Sequence, residues 1–263
     1  MVKPRAIVLT GFGINCDNET ERAFQLAGAD PRRVHLQDVI DAKQRLKDYQ
    51  IVAIPGGFSF GDDVASGKVF AVKLKTYLGE QIREFVNQGR LIGICNGAQI
   101  AIKFGLLPEF DNDYENQKAT LTYNDSSRFE CRWVRMKGQG DKCIFTQGIP
   151  DIELPVAHGE GRFLTRDRKV LERLYEQNQV VFKYADGRGE LANGRYPYNP
   201  NGSVDDIAAI CDTTGRLMIM MPHPERYLTP YHHPQWQRQR TEGRLPKEGQ
   251  GLKIFKNAVR YFS

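Results

Sequence analysis

Arg90-Leu91-Ile92-Gly93-Ile94-Cys95-Asn96-Gly97-Ala98-Gln99-Ile100 divides into halves of different physical character. The first is a short apolar run rich in Ile and Leu, as in a strand buried on both faces of a parallel sheet. The second begins small and polar, then turns apolar at Ile100, Ala101 and Ile102, which suits the start of a helix. Between them lies Gly-x-Cys-x-Gly, the thiol counterpart of the strand-to-helix turn that presents a serine in Gly-x-Ser-x-Gly enzymes. Glycines on both sides let the chain turn sharply around a strained residue. A thiol held there projects from the sheet edge at a helix N-terminus, which favours its thiolate. A small buried cysteine in a packed strand fits the same five residues, so the surrounding chain has to separate the two readings.

Upstream, strand-like and helix-like segments alternate. Residues 6–9 read as a buried strand that runs into the Gly-rich loop 10–17. Asp17 or Asn18 suits the N-cap of a helix carrying Glu19, Ala23, Phe24 and Leu26, with Gly28 as its C-cap. Gly11-x-Gly13 lacks the third glycine of the dinucleotide fingerprint. Residues 34–36 are a second strand, with His35 inside it. Residues 51–54 are a third, closed by Pro55-Gly56-Gly57-Phe58-Ser59-Phe60-Gly61-Asp62-Asp63. A helix follows with Val69, Val72, Leu74, Leu78, Ile82, Phe85 and Val86 on its apolar face, and Gly89 ends it. This alternation predicts an α/β fold: an open, mostly parallel sheet flanked by helices. Ligand sites in such folds lie at the carboxyl ends of the strands. The loops 10–17 and 55–63 and the Cys95 turn would meet there.

Beyond Gly105 the texture changes. Segments 121–123, 129–136, 154–157 and 180–184 read as strands, 206–210 and 217–221 as a strand pair joined at Thr214-Gly215, and 165–175 as a helix, so the sheet is expected to carry an antiparallel strand extension. Residues 252–262 form a terminal helix whose apolar face is Ile254, Phe255, Ala258, Val259 and Phe262. There is no internal repeat and no convincing linker, so residues 1–263 are expected to form a single domain.

Of the 263 residues, 40% are hydrophobic and 26% charged, which suits a globular protein with a proper core. No apolar run reaches membrane-spanning length and the start of the chain carries no secretory core, so a cytoplasmic location without membrane contact is expected. Five cysteines without a C-x-x-C pair argue against a disulfide framework or a zinc knuckle. No metal site is expected, and Cys16, Cys131, Cys143 and Cys211 read as small buried residues. A net charge of +5 falls short of a nucleic-acid binder's basic stripe, and Arg238, Arg240, Arg244 and Lys247 read as a solvated loop.

A cysteine nucleophile needs a base, and the base an orienting group. His232 and His233 sit in a Pro-rich tail with no carboxylate nearby in sequence, and are expected at the surface. His158 lies in a Gly-rich loop after a strand and is a candidate site residue. His223, in Met221-Pro222-His223-Pro224-Glu225-Arg226, follows an apolar strand directly. The flanking prolines exclude a regular helix and favour an extended segment. There, side chains two apart face the same way, so Glu225 would fix the tautomer of His223 and stabilise its imidazolium.

Gly93-Ile94-Cys95-Asn96-Gly97-Ala98-Gln99 and Pro222-His223-Pro224-Glu225-Arg226 resemble the class I, flavodoxin-like glutamine amidotransferases. Within that class, the 55–62 loop, His158-Gly159-Glu160-Gly161, Asn199-Pro200-Asn201-Gly202-Ser203 and the early Asn15-Cys16-Asp17 are similar to the glutaminase subunits of phosphoribosylformylglycinamidine synthases. The resemblance spans nearly the whole chain. It implies that Cys95 attacks the side-chain amide of L-glutamine, forming a glutamyl thioester. His223, held by Glu225, then serves the departing ammonia and the hydrolytic water. It implies an oxyanion hole made by the backbone amides of Gly57 and Asn96. Gln99, one helical turn past Cys95, would reach the bound glutamine, and His158, Gly159 and Glu160 would hold its amino-acid end.

The resemblance also implies that ammonia passes through an enclosed route to a synthetase subunit acting in purine biosynthesis. That partner would use ATP and Mg2+ to convert formylglycinamide ribonucleotide to the amidine, with a small accessory subunit. This chain has no phosphate-binding Gly-x-x-x-x-Gly-Lys-Ser/Thr loop and would need no cofactor of its own. An isolated chain would be weakly active until the partner completes the oxyanion hole. Ala98 stands where many relatives carry Phe or Cys, which implies a packing change only. Residues 228–250 form an extension before the terminal helix, read as a solvated surface loop. A glutaminase serving another synthetase, a cysteine peptidase on the same fold and a non-catalytic regulatory subunit are the alternatives.

Overall fold

The unbroken apolar character of Arg90–Ile94 is that of a strand with neighbours on both sides, and the computed structural model, which describes residues 3–262, places it inside a nine-stranded sheet. The strands are β1 (Arg5–Thr10), β2 (Asp30–His35), β3 (Ile51–Ile54), β4 (Arg90–Ile94), β5 (Ala119–Thr122) and β6 (Glu130–Gly138). They continue as β7 (Asp151–His158), β8 (Arg162–Thr165), β9 (Val180–Ala185), β10 (Ile207–Cys211) and β11 (Leu217–Met220). The helices are α1 (Asp17–Ala27), α2 (Leu36–Ile40), α3 (Lys68–Gln88), α4 (Asn96–Phe104), α5 (Arg168–Glu176), α6 (Trp236–Thr241) and α7 (Leu252–Arg260). The main sheet runs β2-β1-β3-β4-β11-β10-β9-β6-β7, and β5 and β8 pair separately. From β2 to β11 every pairing is parallel; from β11 to β7 every pairing is antiparallel. The α/β reading with an antiparallel extension therefore describes the sheet.

β3, β4 and β11 are buried along their whole length, as strands covered on both faces must be. The carboxyl ends of β1, β3, β4 and β11 lie side by side, so the loops that leave them share one edge. Phe24 of α1 meets Phe255 of α7 edge to face at 5.0 Å, tying the terminal helix to the first one. Among the described residues, no helix is long and apolar enough to cross a membrane.

Several local expectations are corrected. Cys16, not Asp17 or Asn18, occupies the N-cap position of α1, without a side-chain cap bond, and Asp17 is already helical. Gly28 does end it, in the left-handed conformation. β2 starts at Asp30, and Leu36 belongs to α2, whose first turn is capped by His35 Nδ1 accepting from the Gln37 amide at 3.1 Å. Val72 is 49% exposed, so the buried stripe of α3 is narrower than its apolar residues suggest. Cys131 is exposed, on β6, whereas Cys16, Cys95, Cys143 and Cys211 are buried. His233 is buried, not at the surface: its ring packs 4.7 Å from Trp133 and 5.6 Å from Tyr227, and its Nε2 lies 3.4 Å from Glu153. That histidine pins the otherwise mostly exposed 228–250 segment, whose two ends close through the Gly249 amide donating to Leu228 O at 3.0 Å.

Candidate active site

Cys95 occupies φ 51°, ψ −105°, a strained conformation for a residue with a Cβ. Its amide donates to Met220 O on β11 at 2.8 Å, which holds the turn. The glycines around it are required by contact. A Cβ on Gly97 would stand 1.8 Å from Ile54 O, and one on Gly93 would stand 2.7 Å from Gly97 O. α4 can therefore start directly against the end of β3 only with glycine at position 97. The Cys95 thiol is 5% exposed and points toward Ala157 O at 3.7 Å.

His223 and Glu225 are both buried, and His223 Nδ1 lies 2.5 Å from Glu225 Oε1. The extended segment expected across the two prolines ends at His223. Pro224–Arg226 forms a single 3-10 turn with proline at its first position, and this turn brings the carboxylate to the ring. The His223 amide donates to Pro155 O at 2.8 Å, fixing the segment to β7. With a carboxylate as acceptor, Nδ1 carries the proton, and Nε2 has no protein partner. Burial opposes the imidazolium, but Glu225, Cys95 and Cys16 outweigh it and hold His223 well above the ordinary histidine pKa.

Gly56 is the point where these groups converge. A Cβ built there would lie 2.8 Å from His223 Cε1, 3.2 Å from Cys16 Sγ and 3.4 Å from Cys95 Cβ. The next residue, Gly57, has φ 151°, and a Cβ on it would meet Gly13 O at 2.5 Å. The loop is stitched to the end of β1 by Asn15 and Cys16 amides donating to Gly56 O (3.2 and 3.1 Å) and the Phe58 amide donating to Gly13 O (2.8 Å). Among the described residues, neither the Gly57 nor the Asn96 amide donates to a protein acceptor.

A cavity of about 330 Å³ opens beside Cys95, lined by Gly57, Asp62, Gln99, His158, Gly159 and Glu160 among others. The Gln99 amide is engaged within the protein: Oε1 accepts from Asn96 Nδ2 at 2.8 Å and Nε2 donates to Glu160 O at 2.7 Å. It thus braces the cavity wall. The Glu160 carboxylate accepts from the Ser66 amide and lies 3.9 Å from Lys103 Nζ. Burial lowers the pKa of Lys103 and raises that of Asp62 nearby, so the polar end of the cavity is a desolvated charge cluster.

His158 is fixed by Asn124. The Asn124 amide nitrogen donates to Arg128 O and His158 O, both at 2.8 Å, so its oxygen accepts from the Gly161 amide at 2.9 Å and from His158 Nδ1 at 3.2 Å. The ring covers Gly161, where a Cβ would stand 2.2 Å from it. Asn201 supports the same loop, donating to Gly161 O at 2.8 Å and to the Tyr184 hydroxyl at 3.1 Å. The Asn-Pro-Asn-Gly-Ser segment is thus a buttress under the His158 loop.

Burial, reinforced by the charge of His223, pushes the His158 pKa from 6.5 to about 3. Its folded pKa lies below its unfolded one, so the unfolded chain binds the extra proton between those values. Stability is expected to fall as pH drops from about 6.5 toward about 3, by up to about 1.4 kcal/mol per unit from this group. Urea midpoints measured against pH for the wild type and His158→Asn check this. The acid slope should be shallower in the variant, and equal slopes would refute the assignment.

The structure places Gly57, Cys95, Gln99, His158, Gly159 and Glu160 around one cavity, with Asn96 bonded to Gln99 and the His223–Glu225 pair packed against Gly56 beside Cys95. The sequence reading missed Cys16 and Arg226 as neighbours of the histidine. Arg226 Nη2 donates to Cys16 Sγ at 3.1 Å. The Asn-Cys-Asp triplet and the arginine next to Glu225 were the available signals.

Residues 3–262 match the model of the CobB/CobQ-like glutamine amidotransferase domain. A phosphoribosylformylglycinamidine synthase subunit PurQ of Methanococcus maripaludis is 46% identical over 269 residues, covering 100% of this chain and 98% of that protein. A PurQ subunit of Treponema denticola is also 46% identical, over 85% of this chain and 88% of its own. Among solved structures, PurLQS from Thermotoga maritima superposes with a TM-score of 0.73 at 28% identity, with both chains covered fully.

Proposed function

Because this chain belongs to the CobB/CobQ-like glutamine amidotransferase family, we infer that it is the glutaminase subunit of a phosphoribosylformylglycinamidine synthase, a component of purine biosynthesis. The observation that carries the chemistry is the strained Cys95 turn, which lines the cavity and stands beside a buried His223–Glu225 pair. Cys95 gives its thiol proton to His223 Nε2 and attacks the carboxamide carbon of L-glutamine. The tetrahedral oxyanion lies against the unpaired amides of Gly57 and Asn96, each such donor contributing on the order of 3 kcal/mol to the barrier reduction. His223 Nε2 protonates the departing nitrogen, the C–N bond breaks, and a glutamyl thioester and ammonia result. The same Nε2 then takes a proton from water, which attacks the thioester and releases glutamate and the free thiol. Glu225 keeps Nδ1 protonated throughout, leaving Nε2 for this traffic.

Glutamine binds with its carboxamide at Cys95 and its amino-acid end toward His158, Gly159 and Glu160, with Gln99 bracing that wall. The protein acts as one domain, in the cytoplasm, and takes no cofactor itself. ATP and Mg2+ act in the synthetase subunit, which receives ammonia by an enclosed route and turns formylglycinamide ribonucleotide into the amidine. A small accessory subunit completes the complex. Enclosure matters because ammonia released into bulk water becomes mostly ammonium, which is no nucleophile, so added ammonium serves the synthetase only through its small fraction of free ammonia.

Reconstitution with the synthetase subunit tests this. Glutamine should support amidine formation in the complex, and glutamine hydrolysis should rise well above that of the chain alone. Amidine formation from ammonium but not from glutamine would overturn the assignment.

A further inference from the structure

Cys16 is buried and unused by the chemistry above, yet it touches both halves of the site. Its amide donates to Gly56 O at 3.1 Å, one residue before the amide of Gly57. Its sulfur lies 4.0 Å from His223 Nδ1, on the side of the ring that faces Glu225. Arg226 Nη2 donates to that sulfur at 3.1 Å, and Arg226 Nε lies 4.0 Å from Glu225 Oε1, so one guanidinium spans the thiol and the carboxylate. The thiol in turn donates to Asn15 Oδ1 at 3.2 Å. We propose that Cys16 is a positioning residue: its backbone sets the loop carrying the Gly57 amide, its side chain sets the His223–Glu225 pair, and it thereby keeps the oxyanion donors and the base in register.

The geometry leaves little slack for this. No side chain fits at Gly56, where the Cys16 sulfur, the His223 ring and Cys95 crowd the same face. A shift of the 10–16 loop therefore carries Gly57 and His223 together. Cys16, His223 and Glu225 also place metal-type donor atoms within 4.8 Å of one another. The Arg226 guanidinium against the sulfur repels a cation, so the cluster acts as a hydrogen-bonded unit. The sulfur also helps to hold the proton of His223, alongside the larger contributions of Glu225 and Cys95.

This inference rests on the triad reading, and its test separates the two. In the complex with the synthetase subunit, Cys16→Ala is expected to lower glutamine-dependent kcat/KM by on the order of tenfold, carried by kcat. The basic limb of its pH profile should move to lower pH, because His223 loses a group that favours its charged form. Cys16→Ser, which keeps one donor and one acceptor at the position, should restore most of the rate and of the profile. Ammonium-dependent synthesis should be the same in all three proteins. A wild-type pH profile in Cys16→Ala overturns the proposal, whether the rate is unchanged or falls in step with the melting temperature. Full turnover in a parallel Cys95→Ala sample would instead overturn the triad reading.

Discussion

Cys95→Ala is expected to abolish glutamine-dependent amidine synthesis, by on the order of 10⁴-fold or more, while the complex continues to use ammonium. The size of the loss follows from the architecture. The thiol is delivered by a backbone held at φ 51°, between two glycines that admit no Cβ, and no other sulfur can take its place. Cys16 is the nearest rival, but it approaches the Nδ1 side of His223, where the ring is bonded to Glu225. A nucleophile must be served by Nε2, so Cys16 is on the wrong edge of the base. Alanine is also the mildest change for the fold, since it removes one sulfur from a position already strained. Steady-state assays with each nitrogen donor measure the effect. Parallel loss of both donors would indicate that the substitution disrupts the complex and not the chemistry.

Glu225→Gln is expected to cost on the order of 10³- to 10⁴-fold in glutamine-dependent kcat, with a far smaller change in KM. Glu225 is buried and its Oε1 lies 2.5 Å from Nδ1. Glutamine nearly preserves the shape but removes the charge, and its amide nitrogen presents a donor that favours the wrong tautomer. Burial alone disfavours an imidazolium at position 223; the carboxylate is the largest group reversing that. Without it, the protonated form of His223 should disappear at a lower pH, and the basic limb of kcat/KM should move down. Kinetics across pH measure both quantities. A drop in kcat with an unmoved profile would show that Glu225 orients the ring without stabilising its charge.

The parts of this site that the sequence discloses are those written in local spacing. Gly-x-Cys-x-Gly after an apolar run marks the turn because two close backbone approaches demand glycine within five residues. His223 and Glu225 lie two apart, so their pairing is visible, although the structure achieves it by a 3-10 turn where alternation along an extended strand was expected. β2 could not be delimited in the same way. It is a sheet edge in which only Val34 is buried, so Asp30, Pro31, Arg32 and Arg33 give no apolar signal. Cys16 meets Arg226 across 210 residues of chain, and no local pattern encodes such a contact. His233 illustrates the same limit. Its neighbours Trp133, Tyr227 and Glu153 are brought to it by β6, β7 and the turn after β11, so a histidine in a Pro-rich tail becomes a buried anchor. Gln99 was legible as a residue of the cavity, but its bond to Glu160 depends on a loop 61 residues away.

The central claim is that Cys95 carries the glutamyl group. Acid quenching the complex during turnover with glutamine, followed by mass spectrometry of the cysteine-containing peptides, reads this directly. A glutamyl adduct on the Cys95 peptide, lost on treatment with hydroxylamine and absent in Cys95→Ala, is the predicted result. An adduct on Cys16 or another cysteine, or continued glutamine hydrolysis by Cys95→Ala, would contradict it.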